Sequence, residues 1–430
     1  MALSDLRAAS AALLLASLCA CASRPEGVMR PVTTAAPGAT EVTLLVATDR
    51  KATEDERTLF SGERGDRTSF AEIGVSIPPG HQAGEIEWPT KAVGNPNRDF
   101  VTTRVNALDQ KGLVARVRAA APRHGGRVLV FVHGYNNLFE DAVYRFAQIA
   151  HDTKAPAVPV LFTWPSRGKL LAYPYDRESA NYSRDTLERL LQDLAAEPSV
   201  KEVAILAHSM GNWVTLEALR QQAIRKGAVP KKITNVMLAA PDVDVDVART
   251  QIAGMGPNRP RFTLFVSQDD RALGLSGMVW GGTARLGAID PTQEPYRSDL
   301  EANRIAVIDL TAMRAGDQLN HGKFAKAPEV VQFIGTQLAS GQDLETRKAG
   351  LGDKIGMVVT GTATTVGTAA SAVIAAPIAV VDPNTRRNLG DRLGAVVPRL
   401  TPKPDAANGG EAPAFPPAED AAPVALGDRT

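Results

Sequence analysis

The chain has 430 residues, of which 44% are hydrophobic and 22% charged, with a formal net charge of +1 at pH 7. That length holds two or three average domains, or one large α/β domain with tails, and the composition is that of an ordinary globular protein. So even a charge balance, with no basic stripe, gives no electrostatic case for a nucleic-acid partner, and no internal repeat points to a solenoid.

At the N-terminus, Arg7 precedes a short apolar run that ends in Leu18-Cys19-Ala20-Cys21. A basic residue, a short apolar core and small residues at the cut describe a secretory signal, not a spanning helix. The last four residues resemble the bacterial lipobox, whose final cysteine becomes the lipidated first residue of the mature protein. The expectation is a signal over 1–20, a lipid anchor on Cys21 and a flexible tether over 21–40, where Pro25, Pro31, Pro37 and Gly38 fall. Both cysteines lie in this segment, so the remainder has neither a disulfide nor a cysteine-based metal site. Such a protein sits in the bacterial cell envelope, on the periplasmic face of the outer membrane.

The domain proper is expected over 41–345. Thr43–Thr48 reads as a short strand, Lys51–Arg67 as a polar loop and Phe70–Ile77 as a second strand, closed by Pro78-Pro79-Gly80. The stretch to about residue 100, with Gly84, Pro89, Gly94 and Pro96, reads as loop and edge, and Leu113–Ala120 as helix. From residue 127 the pattern is regular. Val128–Val132 is a continuous apolar run, as in a parallel strand buried on both faces, and ends in His133-Gly134-Tyr135. A helix is expected from Phe139 to Ala150, a strand over Val158–Thr163 and a helix over Asp176–Ala196. Then come an apolar run from Val203 to Ala207, the turn His208-Ser209-Met210-Gly211 and a helical pattern through Trp213, Val214, Leu216 and Leu219. Strands follow at Ile233–Ala239, Phe262–Ser267 and Ile305–Leu310, and a closing helix at Pro328–Ala339. Alternation at this spacing predicts a doubly wound, mostly parallel α/β sheet with helices on both faces and its site at the strand C-termini. Residues 346–430 change character: Ile355–Val381 carries no charged side chain and is rich in Gly, Ala and Thr, and the Pro/Ala-rich tail reads as disordered.

A strand that turns within a few residues into a helix, with serine at the apex between small residues (Ala207, Gly211), has the form of a nucleophile elbow. A serine hydroxyl needs a base to take its proton, the base needs an orienting acid, and the carbonyl oxygen needs donors. Of six histidines, His81 and His124 lie outside the regular segments, His151 ends a helix, His208 is expected to point away from Ser209, and His133 belongs to the His-Gly turn. His321 remains, after the last strand and before the last helix. For the acid, Asp269 and Asp270 follow the strand that ends at Ser267, with Asp242, Asp244 and Asp246 as rivals after the preceding strand. Asp270 is favoured, with Asp269 and Asp242 left open. Calcium binding by the Asp242–Asp246 cluster is disfavoured without the glycine and glutamate of an EF-hand loop. The oxyanion donors are expected to be the amides of Met210 and Tyr135.

With Phe131-Val132-His133-Gly134-Tyr135-Asn136, Ala207-His208-Ser209-Met210-Gly211, a late aspartate and a last-loop histidine, the chain resembles the α/β-hydrolase superfamily. More narrowly it is similar to an uncharacterised bacterial esterase/lipase-like branch. The segments that carry this likeness are Ala47-Thr48-Asp49-Arg50, Thr163-Trp164-Pro165-Ser166, Ala239-Ala240-Pro241-Asp242 and Ser267-Gln268-Asp269-Asp270-Arg271-Ala272-Leu273. The resemblance implies an acid immediately before Arg-Ala-Leu, which is Asp270. Its implied activity is a serine esterase needing no cofactor and acting on an ester-type small molecule or lipid. An amidase, peptidase or lipase on the same residues, and a non-catalytic envelope lipoprotein, are the alternatives.

Overall fold

The β-rich start of the domain reaches further than the apolar pattern suggests. In a computed structural model, which describes residues 26–340 except 35, 280 and 314–316, together with 357–358, the first strand β1 runs over Thr40–Ala52 and β2 over Phe60–Ile77. Most of the expected polar loop at 51–67 is therefore strand: the two chains continue pairing past a bulge, with Arg50 opposite Arg64 and Ala52 opposite Phe60. A third strand, β3 (Val101–Leu108), lies where no strand was expected; it is the antiparallel edge beside β2 and has one partly polar face. Polar side chains on the solvent face of an edge hide the apolar pattern.

Seven strands then run parallel. β4 (Arg127–Val132), β5 (Val158–Thr163), β6 (Glu202–His208), β7 (Ile233–Ala239), β8 (Arg261–Val266) and β9 (Ala306–Asp309) lie with β1 in one sheet. A two-residue strand β10 (Met357–Val358) adds antiparallel to β9, so the stretch after 345 contributes to the sheet edge. The order is β10-β9-β8-β7-β6-β4-β5-β1-β2-β3.

Between the strands lie α1 (Gln110–Ala120), α2 (Phe139–Thr153), α3 (Tyr173–Ala196), α4 (Gly211–Lys226), α5 (Val245–Ala253), α6 (Arg271–Val279), α7 (Tyr296–Ala302), α8 (Lys323–Lys326) and α9 (Pro328–Ser340). Each central strand feeds two cores. Val128, Val130 and Val132 of β4, with Val203, Ile205 and Ala207 of β6, face Leu187, Leu191, Val214 and Leu219 of α3 and α4. Leu129, Phe131, Ala204 and Leu206 point the other way, onto Phe139, Val143 and Phe146 of α2 and Ile334 of α9. Alternating side chains of a strand necessarily reach opposite faces, and each fully buried Leu, Val or Phe contributes about 1.5–3 kcal/mol.

The chain travels from β4 to β5 in one direction and then jumps back across β4 to β6. Right-handed crossovers put α2 and α3 on opposite faces at that reversal. A crevice opens at the carboxyl ends of β4 and β6, and there stand the His133 turn and the Ser209 elbow.

Residues 22–40 were expected to be a tether. From Glu26 onward the described part is laid on the domain instead. Val28 and Met29 are buried, the Val28 carbonyl accepts from Tyr144 Oη at 3.1 Å, and the Val32 amide donates to Thr102 O at 2.8 Å. Apolar side chains here find a core to join, which proline content alone does not reveal. The expected signal, Cys21 and the tail beyond 358 lie outside the described residues. Among the described residues no helix is long and apolar enough to cross a membrane.

Helix α9 packs closely on the end of α2 at Gly335, where a Cβ would stand 2.1 Å from Thr153 O. Gly335→Ala should therefore lower stability by about 1–3 kcal/mol, the usual cost of overpacking, seen as a lower urea midpoint at unchanged slope.

Candidate active site

Ser209 sits at the end of β6 with φ 51°, in the left-handed region that non-glycine residues rarely occupy. The strain is held by neighbours. The Ser209 amide donates to Ala239 O at 3.0 Å, and its carbonyl accepts from Asp242 N at 3.2 Å and Asn212 Nδ2 at 2.9 Å. The two turns also meet with no space to spare. A Cβ on Gly211 would lie 2.3 Å from His133 O, and one on Gly134 would lie 2.8 Å from Ser209 Cβ. Ala207 is fully buried opposite Val132 and Leu238, where a small residue is enough. The glycine requirement falls after the serine, at Gly211, and not before it.

The turn after β4 stands on a buried polar network. His133 is enclosed and its ring stacks on Trp164 at 4.9 Å. The Trp164 amide donates to His133 Nε2 at 3.1 Å, so Nε2 is unprotonated and Nδ1–H donates to Gly134 O at 2.8 Å. Burial, and then the charge of Arg50, press the His133 pKa well below its ordinary value, consistent with that neutral acceptor. Arg50 is itself buried, and burial brings its pKa down to about 10, which still leaves it charged at neutral pH. It donates to Thr163 Oγ1 (2.9 Å), Ser166 O (2.9 Å) and Asn137 O (2.9 Å). Asp176 of α3 accepts from Ser166 Oγ (2.5 Å), Asn136 N (3.2 Å) and Arg167 N (3.0 Å). Together these groups hold the Gly134-Tyr135-Asn136-Asn137 backbone against the elbow.

The histidine loop is fixed from below. Asp317 Oδ1 accepts from the amides of Leu319 and His321 and its Oδ2 from Gly322 N, while Asn320, at φ 57°, donates through Nδ2 to Asp269 Oδ2 at 2.9 Å. His321 Nδ1 lies 2.7 Å from Asp270 Oδ2, and Asp270 Oδ1 accepts from Leu273 N at 3.0 Å. Burial pulls the His321 pKa down. The Asp270 charge and hydrogen bond outweigh it, helped by Asp242 and Asp317, and the pKa stands above its ordinary value.

The other carboxylates have other partners. Asp269 Oδ1 accepts from Lys323 Nζ at 2.6 Å and Ser267 Oγ at 2.5 Å. Asp242 accepts from Tyr173 Oη (2.7 Å) and Ser276 Oγ (2.6 Å) and lies 3.5 Å from Arg285 Nε. Asp244 caps α5 by accepting from Asp246 N at 2.9 Å, so the Asp/Val alternation is a helix start.

His208, expected to point away from Ser209, packs against the histidine loop. Its ring lies 4.7 Å from that of His321 and 4.5 Å from that of Phe324, and its Nε2–H donates to His321 O at 3.3 Å. Burial, and then the nearby His321, lower its pKa well below the ordinary value. A neutral imidazole one residue before Ser209 thus seats the loop that carries His321. Tyr135 and Met210, the expected oxyanion donors, flank this junction: one follows Gly134 and the other follows Ser209, and Met210 is buried. Sequence reasoning missed Arg50, Asp176, Asp317, Asn320 and Lys323. For Arg50 the available signal was the segment Ala47-Thr48-Asp49-Arg50, which carries part of the family likeness.

A family described as "Alpha/beta hydrolase of unknown function (DUF900)" matches residues 110–337, more than half of the chain. The uncharacterized protein alr1448 of Nostoc sp. is 27% identical over 136 residues, which is 25% of this chain and 35% of that protein. The chain thus spans about a third of the length of that curated relative. Among solved structures, the siderophore hydrolase EstB from Aspergillus nidulans is similar at a TM-score of 0.32 and 10% identity, covering 73% of this chain and 99% of that one; the likeness is too distant to bear on the site.

Asp270→Asn should lower the His321 pKa, because burial remains while the nearest negative charge is gone. A histidine titration by NMR measures it. An unchanged value would mean that the field of Asp242 and Asp317 holds the proton instead.

Proposed function

The chain belongs to this family of α/β hydrolases of unknown function, and on that premise we propose that it is a serine hydrolase of carboxylic esters using Ser209, His321 and Asp270. The observation that carries the reading is the 2.7 Å contact between His321 Nδ1 and Asp270 Oδ2, in a loop that packs on His208, the residue before the strained Ser209. It fixes the tautomer that leaves Nε2 free to accept a proton.

Ser209 Oγ attacks the acyl carbonyl as His321 Nε2 takes its proton, and Asp270 stabilises the imidazolium. The Tyr135 and Met210 amides receive the oxyanion. Collapse expels the alcohol, which takes the proton from His321 and leaves an acyl-Ser209. Water, deprotonated by His321, then releases the acid and restores the serine.

A lipid ester is the second reading, and one observation favours it. Leu170, Leu171, Leu275, Met278 and Val279 are exposed, Leu171 at 92%. They lie on the stretch after β5 and on α6, which begins immediately after Asp270. Tyr135 Oη donates to Leu170 O, which puts the first stretch beside the turn after β4, and Tyr173 Oη lies 3.0 Å from Ser276 Oγ, which joins α6 to the start of α3 just beyond that stretch. Anchoring through Cys21 in the cell envelope belongs to the same proposal, and Cys21→Ser should move the protein out of the membrane fraction.

A fluorophosphonate probe should label the wild type and not Ser209→Ala; equal labelling of the two sinks the triad and leaves a binding protein on a hydrolase fold. On a p-nitrophenyl ester series, Asp270→Asn should lower kcat by about 10⁴-fold, whereas Asp242→Asn should change it far less. Because His321 must be neutral to act as base, kcat/KM should rise with pH through a midpoint above the ordinary histidine value of about 6.5. In Asp270→Asn that limb should move to lower pH.

A further inference from the structure

Two histidines set aside by position in the sequence come together at the end of α2. His81, in the loop after β2, and His151, in the last turn of α2, have ring centroids 5.2 Å apart. Both face one atom: Asp152 Oδ1 is 2.9 Å from His81 Nε2 and 2.8 Å from His151 Nδ1. The other oxygen, Oδ2, is already held, accepting from Gly84 N at 2.8 Å and Gln148 Nε2 at 2.7 Å. That fixes the carboxylate with Oδ1 turned to the rings.

His81 has a carboxylate at each nitrogen, since Nδ1 also lies 2.7 Å from Glu87 Oε2. A neutral imidazole has one N–H, so both contacts are satisfied together only if the ring gains a second proton or Nε2 binds a cation. A histidine that gives one nitrogen to a metal and the other N–H to a carboxylate is the usual arrangement of a metal ligand. We propose that His81 Nε2, His151 Nδ1 and an Asp152 oxygen form a site for a divalent transition-metal cation of zinc's ligand preference. These three ligand atoms lie within 4.8 Å of one another. Two imidazoles and a carboxylate suit zinc, copper or nickel better than calcium or magnesium. Tetrahedral zinc at about 2.0–2.1 Å from each ligand needs ligand atoms about 3.3 Å apart, so the cluster opens by roughly 0.5 Å as the cation replaces the shared protons. His151 is 26% exposed on its side chain, against 5% for His81 and 2% for Asp152, which leaves its side open for entry and for a water ligand.

The site's place in the fold gives the cation a structural task. Gln148 Nε2 also donates to Ala325 O at 3.2 Å, and a Cβ on Gly84 would meet Lys326 O at 2.3 Å. The loop at 78–87, the end of α2 and the segment just after His321 are thereby joined, and a metal would pin them together behind the His321 loop.

The test uses the full chain, stripped with chelator and titrated with Co²⁺ alone, then with Zn²⁺ alone. One equivalent of Co²⁺ should give ligand-field absorption bands that Zn²⁺ abolishes, and Zn²⁺ should raise the Tm. His151→Ala, a partly exposed position, should lose the bands while keeping its far-ultraviolet circular dichroism. Glu87→Gln should weaken binding by about 10–100-fold, and it carries the test alone if the alanine variant does not fold. The proposal is overturned if the wild type takes up less than one equivalent. It is also overturned if the folded variants bind as the wild type does, a result that would put the metal elsewhere, such as on Cys19 and Cys21. Fluorophosphonate labelling of Ser209 is independent of either outcome.

Discussion

The close approach of two backbone turns, one after β4 and one after β6, is the constraint from which the rest follows. Gly211 passes so near His133 O that a methyl group has nowhere to go, and Gly134 lies against the side chain of Ser209. The serine is driven to φ 51° by this contact and held there by hydrogen bonds from Asp242 and Asn212 to its carbonyl. Strain of this kind, of order 1–3 kcal/mol, persists only where surrounding packing over-determines it. Here the interiors of both strands, Val128–Val132 and Val203–Ala207, are buried, and two cores clamp them from opposite faces.

The polar groups beneath the β4 turn answer a second demand. Buried backbone carbonyls and amides cost several kcal/mol if left without partners, and this turn leaves several. Arg50 serves one carbonyl of this turn, Asn137 O, and one of the turn after β5, Ser166 O; Asp176 likewise serves one amide of each, Asn136 and Arg167, and neutral His133 accepts from Trp164 N where a charged ring could not. Removing any one strands the others, so the network acts as a unit. A turn carried in this way keeps its amides in a fixed orientation, which is the preorganisation that the proposed oxyanion role would need.

On the other side of Ser209, the histidine loop is fastened at three points: Asp317 caps it, Asn320 ties it to Asp269, and His208 supports it from the strand end. Lys323 explains why two adjacent aspartates are not equivalent. Its ammonium engages Asp269, and Asp270 is the carboxylate that faces His321. The same segment continues to Ala325 and Lys326, which meet the His81–Asp152 cluster through Gln148 and Gly84, so the cluster and the His321 loop are linked by a hydrogen bond and a backbone contact a few residues after His321.

The parallel centre of the fold can be read from the order of residues alone. Fully buried strands read as unbroken apolar runs, so β4 to β8 and the helices between them were legible to within a few residues, as was the elbow. That order also narrowed the chemistry to Ser209, His321 and a short choice of aspartates, because strand-end loops are the places where side chains can converge. Tertiary structure alone decided the partly polar β3, the extension of β2 into a polar stretch and the docking of residues 26–39, since none of these has a one-dimensional apolar period. It alone paired Asp270 with His321, turned His208 toward the loop and brought Arg50 under the β4 turn. Those contacts join residues that lie tens to more than a hundred positions apart, and local propensity carries no information about which distant partner will satisfy a buried charge.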